Sequence, residues 1–328
     1  MWWHKQKDAV DPNDPNRDWL MLQSVLQDAF AEQKKSRRWG VVFKLLTFVY
    51  LFGFGLVFYF SAKQADITGS AKEHVAVVSL EGVIAADEAA SAGRINQALR
   101  KAFENSQSKA VVLAINSPGG SPVQAGYIYD EMNRLKAKYP SKKLYAVIAD
   151  IGASGGYYVA AAADAIYADK ASLVGSIGVT ASGFGFVETM EKLGVERRHF
   201  TAGEHKAFLD PFSPVKEEEK AFWQEVLINT HQQFIKAVAD GRGGRLPLTE
   251  ELTSGLVWNG EQALAMGLVD GLGSVRYVAR EVVGVEELYD YTPRASPLQQ
   301  LLGDLGVAVG RGVAQTLTSD NFTRLNFQ

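Results

Sequence analysis

The sequence predicts an α/β domain preceded by a helix that crosses a membrane. Three observations carry this. From His74 onward, β-branched apolar runs of strand length alternate with segments of helical period. Two of those runs end in glycine-rich turns, Ser117-Pro118-Gly119-Gly120 and Gly152 to Gly156. Ahead of them, Trp39 to Phe60 reads WGVVFKLLTFVYLFGFGLVFYF, with Lys44 as its one charge.

The apolar run comes first in the chain. Its length suits a hydrocarbon core of about 30 Å, and Trp39 and Tyr59 sit near its two ends, where amphipathic rings favour the interface. Lys34, Lys35, Arg37 and Arg38 precede it, and only Lys63 follows closely. That bias puts the N-terminus in the cytoplasm and everything after Ser61 across the membrane. A cleaved signal peptide would have a shorter leading region and a small-x-small site, and FSAKQAD offers none. A core helix would not be apolar on every face over this length. The chain therefore divides into a cytoplasmic segment 1–38, an anchor 39–60, a linker 61–73, a domain 74–290 and an amphipathic tail 291–328. Within the first segment, DPNDPN at 11–16 is a turn-rich spacer. RDWLMLQSVLQDAFAEQKK then spaces Trp19, Leu22, Val25, Leu26 and Phe30 as a short amphipathic helix.

Composition narrows the function. The chain has 328 residues, 47% of them apolar, enough to bury a sizeable core. Its net charge of -3 argues against general electrostatic binding to nucleic acid. The absence of cysteine removes disulfides, thiolate nucleophiles and Cys-type zinc sites.

In the domain, HVAVVSLEGVI reads as a strand and AADEAASAGRINQALRKAFEN as a helix. KAVVLAIN (109–116) is a buried strand ending in SPGG. The helix at 121–139 has Ser121 as its N-cap and Pro122 at its first position. KKLYAVIA is the next strand, SGGYYVAAAAD opens a helix, and AIYAD is a further short strand. Beyond SIGVTASGFGF come a helix, VETMEKLG, and a strand, VERRHFTAG. A long helix at 216–240 is stopped by Gly241, and 259–274 is a compact helix and turn. Repeated strand–turn–helix units gather helix N-termini beside strand ends.

The two glycine turns are where chemistry would sit. Each places backbone N–H groups at a helix start, as an oxyanion hole requires, although either alone is also an ordinary turn. Gly152-Ala153-Ser154-Gly155-Gly156 fits the G-x-S-x-G pattern of a nucleophile elbow. Phosphate-loop and dinucleotide fingerprints are absent. KEEEK (216–220) reads as a solvated helix start favoured by the dipole. His199 and His205 have no metal-ligand spacing, so no metal and no cofactor are expected.

A serine nucleophile needs a base. His199, His205 and His231 follow Ser154, but none lies in the C-terminal region where an α/β-hydrolase places its histidine. Lysine is the other candidate. Lys206 lies in the irregular stretch FTAGEHKAFLDPFSP, with Ala207, Phe208, Leu209 and Phe212 close by. Apolar surroundings disfavour an ammonium and can leave a lysine free to take a proton, whereas a solvated loop lysine could not do so readily.

Taken together, INSPGG, GASGGYYVAAAAD, GSIGV and GEHK, in this order, resemble the signal peptide peptidase A family of membrane-anchored serine proteases, peptidase family S49. The resemblance covers about residues 74–285 and is nearest to the short, single-domain form, with SohB-type peptidases as close relatives. It implies a ClpP/crotonase-like fold of stacked β-β-α units and a Ser/Lys dyad. Ser154 matches the nucleophile and Lys206 the general base. Ser176 in GSIGV matches a serine that helps orient the lysine. Gly119 and Gly120 match the oxyanion loop, with the Gly155 amide as a further donor. The family also implies a homo-oligomeric ring, expected to be octameric, in which neighbouring chains complete each site. Its substrates are apolar peptides, above all signal peptides left in the membrane, and its partners include no nucleic acid. Two rivals remain: a crotonase-like acyl-CoA enzyme, which has no use for Ser154 with Lys206, and a non-catalytic membrane scaffold with a vestigial dyad.

Overall fold

The structure, a computed structural model, describes residues 17–65 and 72–293. The predicted spacer at 11–16, residues 66–71 of the linker and residues 294–328 of the tail lie outside the described residues. The chain divides into two compact units between Asp66 and Ile67.

The first unit is helix α1, Arg17–Ala65. Among the described residues it is the one helix long and apolar enough to cross a membrane, over Val25–Leu56. Phe43, Phe48, Phe52 and Phe58 are all exposed along it, so apolar surface faces outward in several directions. The Thr47 hydroxyl donates to the Phe43 carbonyl at 2.9 Å, which satisfies a polar group inside the apolar stretch. The sequence predicts a short helix and then a separate span; the structure runs them together. No proline or glycine lies between Arg17 and Arg38, and Gly40 keeps a helical backbone, so nothing ends the first helix.

The second unit is built on one sheet. Its strands are β1 (His74–Glu81), β2 (Ser108–Ser117), β3 (Lys143–Ala153), β4 (Ala165–Ala168), β5 (Leu173–Gly175), β6 (Val257–Trp258), β7 (Gly271–Leu272) and β8 (Leu288–Asp290). The main path runs β6-β5-β3-β2-β1-β8, with β4 beside β3 and β7 beside β4. All pairs are parallel except β5–β6. The long β3 forks: Tyr145–Ile148 pair with β4, and Ile151–Ala153 pair with β5.

Period-two alternation decides which side chains meet the helices. Val111, Leu113 and Ile115 of β2 join the main core with Val78, Leu80, Ala146 and Ile148. That core is completed by α2 (Ala92–Glu104), α3 (Pro122–Lys138) and α4 (Gly155–Ala160). Val75, Val112 and Val147 point the other way and pack on Val278 and Ala279. These two residues belong to a turn of π-helix, Val278–Val283, that follows α8 (Val275–Tyr277). Ser121 caps α3 by accepting from Gln124 N, with Pro122 in the first turn, as predicted.

The remaining helices are α5 (Val187–Leu193), α6 (Glu217–Arg242) and α7 (Gly260–Ala265). Three boundaries differ from the sequence reading. The helix expected from Ala85 starts only at Ala92, because Ile84 is tied to the Gly119–Ser121 turn and the chain must bend before it can coil. Helix α6 runs past Gly241 to Arg242 and ends at Gly243, with φ +54°. Gly241 has a packing role instead: a Cβ there would stand 2.0 Å from the Ala161 carbonyl oxygen. The strand expected over 195–203 does not form, since that stretch is exposed and no strand lies beside it.

Candidate active site

The strands β2 and β3 are parallel neighbours, so the turns that follow them emerge side by side, with Ser117 paired to Gly152. In the first turn Gly119 and Gly120 both have positive φ, +101° and +148°. Three hydrogen bonds fix it. The Gly119 amide donates to the Ser117 hydroxyl oxygen at 3.1 Å. Ile84 N donates to the Gly119 carbonyl at 2.8 Å, and Ser121 N donates to the Ile84 carbonyl at 2.7 Å. Among the described residues the Gly120 amide has no acceptor. Of the three glycines expected from sequence as oxyanion donors, two lie in this turn: Gly119 is already committed and buried, and Gly120 is exposed.

The second turn holds Ser154 at φ +52°, ψ −124°, a strained conformation for a residue with a side chain. Its amide donates to Gly175 O at 2.8 Å, and its carbonyl accepts from Tyr158 N at 2.9 Å, which starts α4. The turns pack against each other with no room to spare. A Cβ on Gly119 would stand 2.6 Å from Gly155 N and 2.8 Å from the Ser154 Cβ. A Cβ on Gly155 would stand 3.3 Å from Gly120 N, so the Gly120 and Gly155 backbones meet next to Ser154.

Both turns open into a cleft of about 680 Å³ lined by Ser154, Gly155, Gly120 and Ser176. Ser176 also has positive φ, +53°, and its amide donates to Leu256 O at 2.7 Å. Tyr158 and Phe234 form part of the wall, their rings 5.0 Å apart. The ionisable side chains in the lining are Tyr158 and His231. His231 Nε2 lies 3.2 Å from the Ile177 carbonyl oxygen, which can only accept, so that nitrogen carries a hydrogen and cannot serve as a base. Burial pushes the Tyr158 phenol up, with nearby Asp130 and Tyr129 adding to it.

Lys206 is not in this lining. It is exposed on a run of turns between Gly203 and Leu209, with Leu209 itself at φ +53°. No residue from 181 to 229 lines the cleft; the chain leaves it at Thr180 and returns at Thr230. The apolar pocket expected around Lys206 is thus not formed within one chain. Phe208 turns instead to Phe222 and Trp223, each with its ring 5.8 Å away. No group of three or more His, Asp or Glu residues placed to hold a metal occurs among the described residues.

Sequence reasoning named Ser117 only as a turn residue, weighed His231 only as a base, and missed Ile84. Ser117 had a signal, a serine two residues before a glycine in a turn. Ile84 acts through its backbone, and His231 reaches the cleft from a distant helix, so neither leaves a local pattern.

Comparison with known proteins places this arrangement. The profile of Peptidase family S49 matches residues 136–287, and that of Clp protease matches residues 65–168. Over 186 residues the chain is 45% identical to the Na(+)/H(+) antiporter NhaA of Brucella abortus (strain 2308); this covers 57% of the chain and only 25% of that protein. The putative signal peptide peptidase SppA of Enterococcus faecium is 32% identical over 234 residues, 68% of this chain and 67% of that one. The putative protease slr0021 of Synechocystis sp. is 32% identical over 208 residues, 62% of this chain and 72% of that one. With its mixed α/β sheet, its Clp-protease-like domain and relatives matched over two thirds of their length, the chain belongs to peptidase family S49.

Proposed function

We propose that the protein is a membrane-anchored serine endopeptidase working through an acyl-enzyme. The observation that carries this is Ser154: a serine held at positive φ in the lining of a cleft, beside the Gly120 and Gly155 amides, which find no acceptor among the described residues. Strain of about 1–3 kcal/mol at one residue is retained where the fold over-determines it, most often at functional sites.

In the proposed reaction Lys206 takes the hydroxyl proton of Ser154. Ser154 Oγ forms a bond to the scissile carbonyl carbon, and the Gly120 and Gly155 amides donate to the oxyanion. The C–N bond then breaks, and the amine leaves with the proton from Lys206. Water, deprotonated by the same lysine, releases the acid and restores the serine. Ser176 orients the lysine, as the family resemblance implies.

Since Lys206 lies outside the cleft of its own chain, the base is supplied by a neighbouring copy in a homo-oligomeric ring. Exposed apolar side chains on the same excursion, such as Phe184 at 83% and Phe200 at 92%, favour such an assembly. A cleft that mixes Tyr158, Phe234 and Val179 with neutral polar residues such as Gln233 and Thr253, and holds no carboxylate or ammonium, fits uncharged peptide segments; cleaved signal peptides are the substrates that the family resemblance implies. Helix α1 would hold the protease at a bacterial inner membrane with its N-terminus in the cytoplasm.

The test uses the full chain in detergent with an apolar reporter peptide. Wild type is expected to cleave, and Ser154→Ala and Lys206→Ala to lose at least about 10³-fold in kcat. Equal cleavage by all three proteins overturns the dyad, and no cleavage by assembled wild type overturns the peptidase.

A further inference from the structure

Ser117 is the last residue of β2, fully buried, and directly behind both glycine turns. Its carbonyl oxygen lies 2.8 Å from where a Cβ on Gly156 would be, so it is the floor on which α4 starts. Its hydroxyl oxygen accepts the Gly119 amide. That bond fixes the peptide plane between Pro118 and Gly119.

The next plane, between Gly119 and Gly120, matters for the site. In a trans peptide the C=O and N–H point in opposite directions. The Gly119 carbonyl is held by Ile84 N on the side of β1. The Gly120 N–H must therefore point away from Ile84, toward the cleft. With Gly119 at φ +101° and Gly120 at φ +148°, neither residue has a Cβ to limit rotation of the plane between them. The Ser117 hydroxyl and the Ile84 amide hold the two planes from opposite ends.

We infer that Ser117 is a positioning residue for the oxyanion hole: by capturing the Gly119 amide it stops the glycine pair from flipping and keeps the Gly120 N–H aimed at the substrate oxygen. It rests on the proposed serine chemistry for its effect on rate, but the hydrogen bond itself is testable without activity. Its hydroxyl serves as an acceptor here, and no proton transfer is assigned to it.

The experiment compares wild type, Ser117→Ala and Ser117→Thr in the full chain. Hydrogen–deuterium exchange across residues 117–121 reads the pin; kcat and KM on the apolar reporter peptide read its consequence; a peptide boronate, which forms a tetrahedral adduct with a reactive serine, reads the hole. Expected are faster exchange in Ser117→Ala, a kcat lowered about tenfold or more with KM within about twofold, and boronate affinity falling in step with kcat, because the donor acts only on the tetrahedral state. Ser117→Thr, which keeps the hydroxyl, recovers part of each loss. Unchanged exchange in Ser117→Ala overturns the pin. Faster exchange with kcat and boronate affinity unchanged overturns the positioning role, as does a loss shared equally by kcat, KM and melting temperature in both variants. Should Ser154→Ala retain full activity, the peptidase chemistry fails instead, while the exchange result still decides whether Ser117 holds the loop.

Discussion

Arg242 and Asp270 meet through two hydrogen bonds, Nη1 to Oδ2 at 2.6 Å and Nη2 to Oδ1 at 2.9 Å, with the arginine side chain 1% exposed. The pair ties the end of α6 to the loop before β7, and α6 carries His231 and Phe234 into the cleft. Burial works to raise the Asp270 carboxyl, but hydrogen bonds from Arg242 and Ile166 N outweigh it and hold the group below its ordinary value.

Removing Asp270 leaves the buried Arg242 guanidinium without its carboxylate, whereas removing Arg242 leaves Asp270 with Arg245 at 3.3 Å and the Ile166 amide. Asp270→Ala is expected to cost about 3–5 kcal/mol, read as a lower midpoint in urea unfolding. Because the folded-state value is depressed, the contribution is present at neutral pH and is lost as pH falls through and below the usual aspartate range. An Asp270→Ala protein with wild-type stability at pH 7 would show that the pair contributes nothing.

Glu131 of α3 gives a second acid-sensitive point. Hydrogen bonds from Arg134 lower its carboxyl most, burial opposes them, and Arg100 adds to the lowering, leaving it at about 2. Its stabilisation is complete above about pH 4.5 and fades as pH falls toward about 2. Glu131→Gln is expected to lower stability at pH 7 by on the order of 2 kcal/mol, allowing for two half-exposed arginines, and to flatten the acid limb of the melting profile. An acid limb identical to wild type would assign the transition to other carboxylates.

Glycine substitutions separate packing from chemistry. Gly119→Ala places a Cβ against Ser154 and Gly155 at φ +101°, and is expected to lower kcat by at least about 10²-fold as the oxyanion loop shifts. Gly126→Ala, on α3 with nothing within 4 Å of the new Cβ, is expected to stabilise by about 0.4–1 kcal/mol. Wild-type turnover in Gly119→Ala would mean that the close approach of the two turns is not used in the reaction.

The origin of the base can be read from mixed assemblies. Ser154→Ala and Lys206→Ala chains, unfolded together and reassembled in equal amounts, form sites with an intact serine from one chain and an intact lysine from the next in about a quarter of positions if neighbours share sites. Roughly a quarter of wild-type activity is expected. None at all, from rings shown to be mixed, would place serine and lysine in the same chain.

Much of this was legible in the sequence because it rests on local patterns. The long strands around Val78, Leu113 and Ile148 follow from apolar runs, and Ser121-Pro122 from capping chemistry. Ser154 stood out through its glycines. The short strands β5 to β8 have two or three residues each, too few for any period, and form on edges offered by β3, β5, β4 and β1 in turn. Lys206 shows the opposite limit: its aromatic neighbours suggested a pocket, but Phe208 packs on Phe222 and Trp223 instead. A composition of apolar residues says that they will be covered, not which face they will cover.

The excursion from Thr180 to Thr230 has one last consequence. On the proposed chemistry, a chain just made or just inserted holds a nucleophile without its base, and dilution keeps it inert. Assembly then does the work that removal of a pro-segment does elsewhere. Specific activity should climb with protein concentration until every chain has found a neighbour.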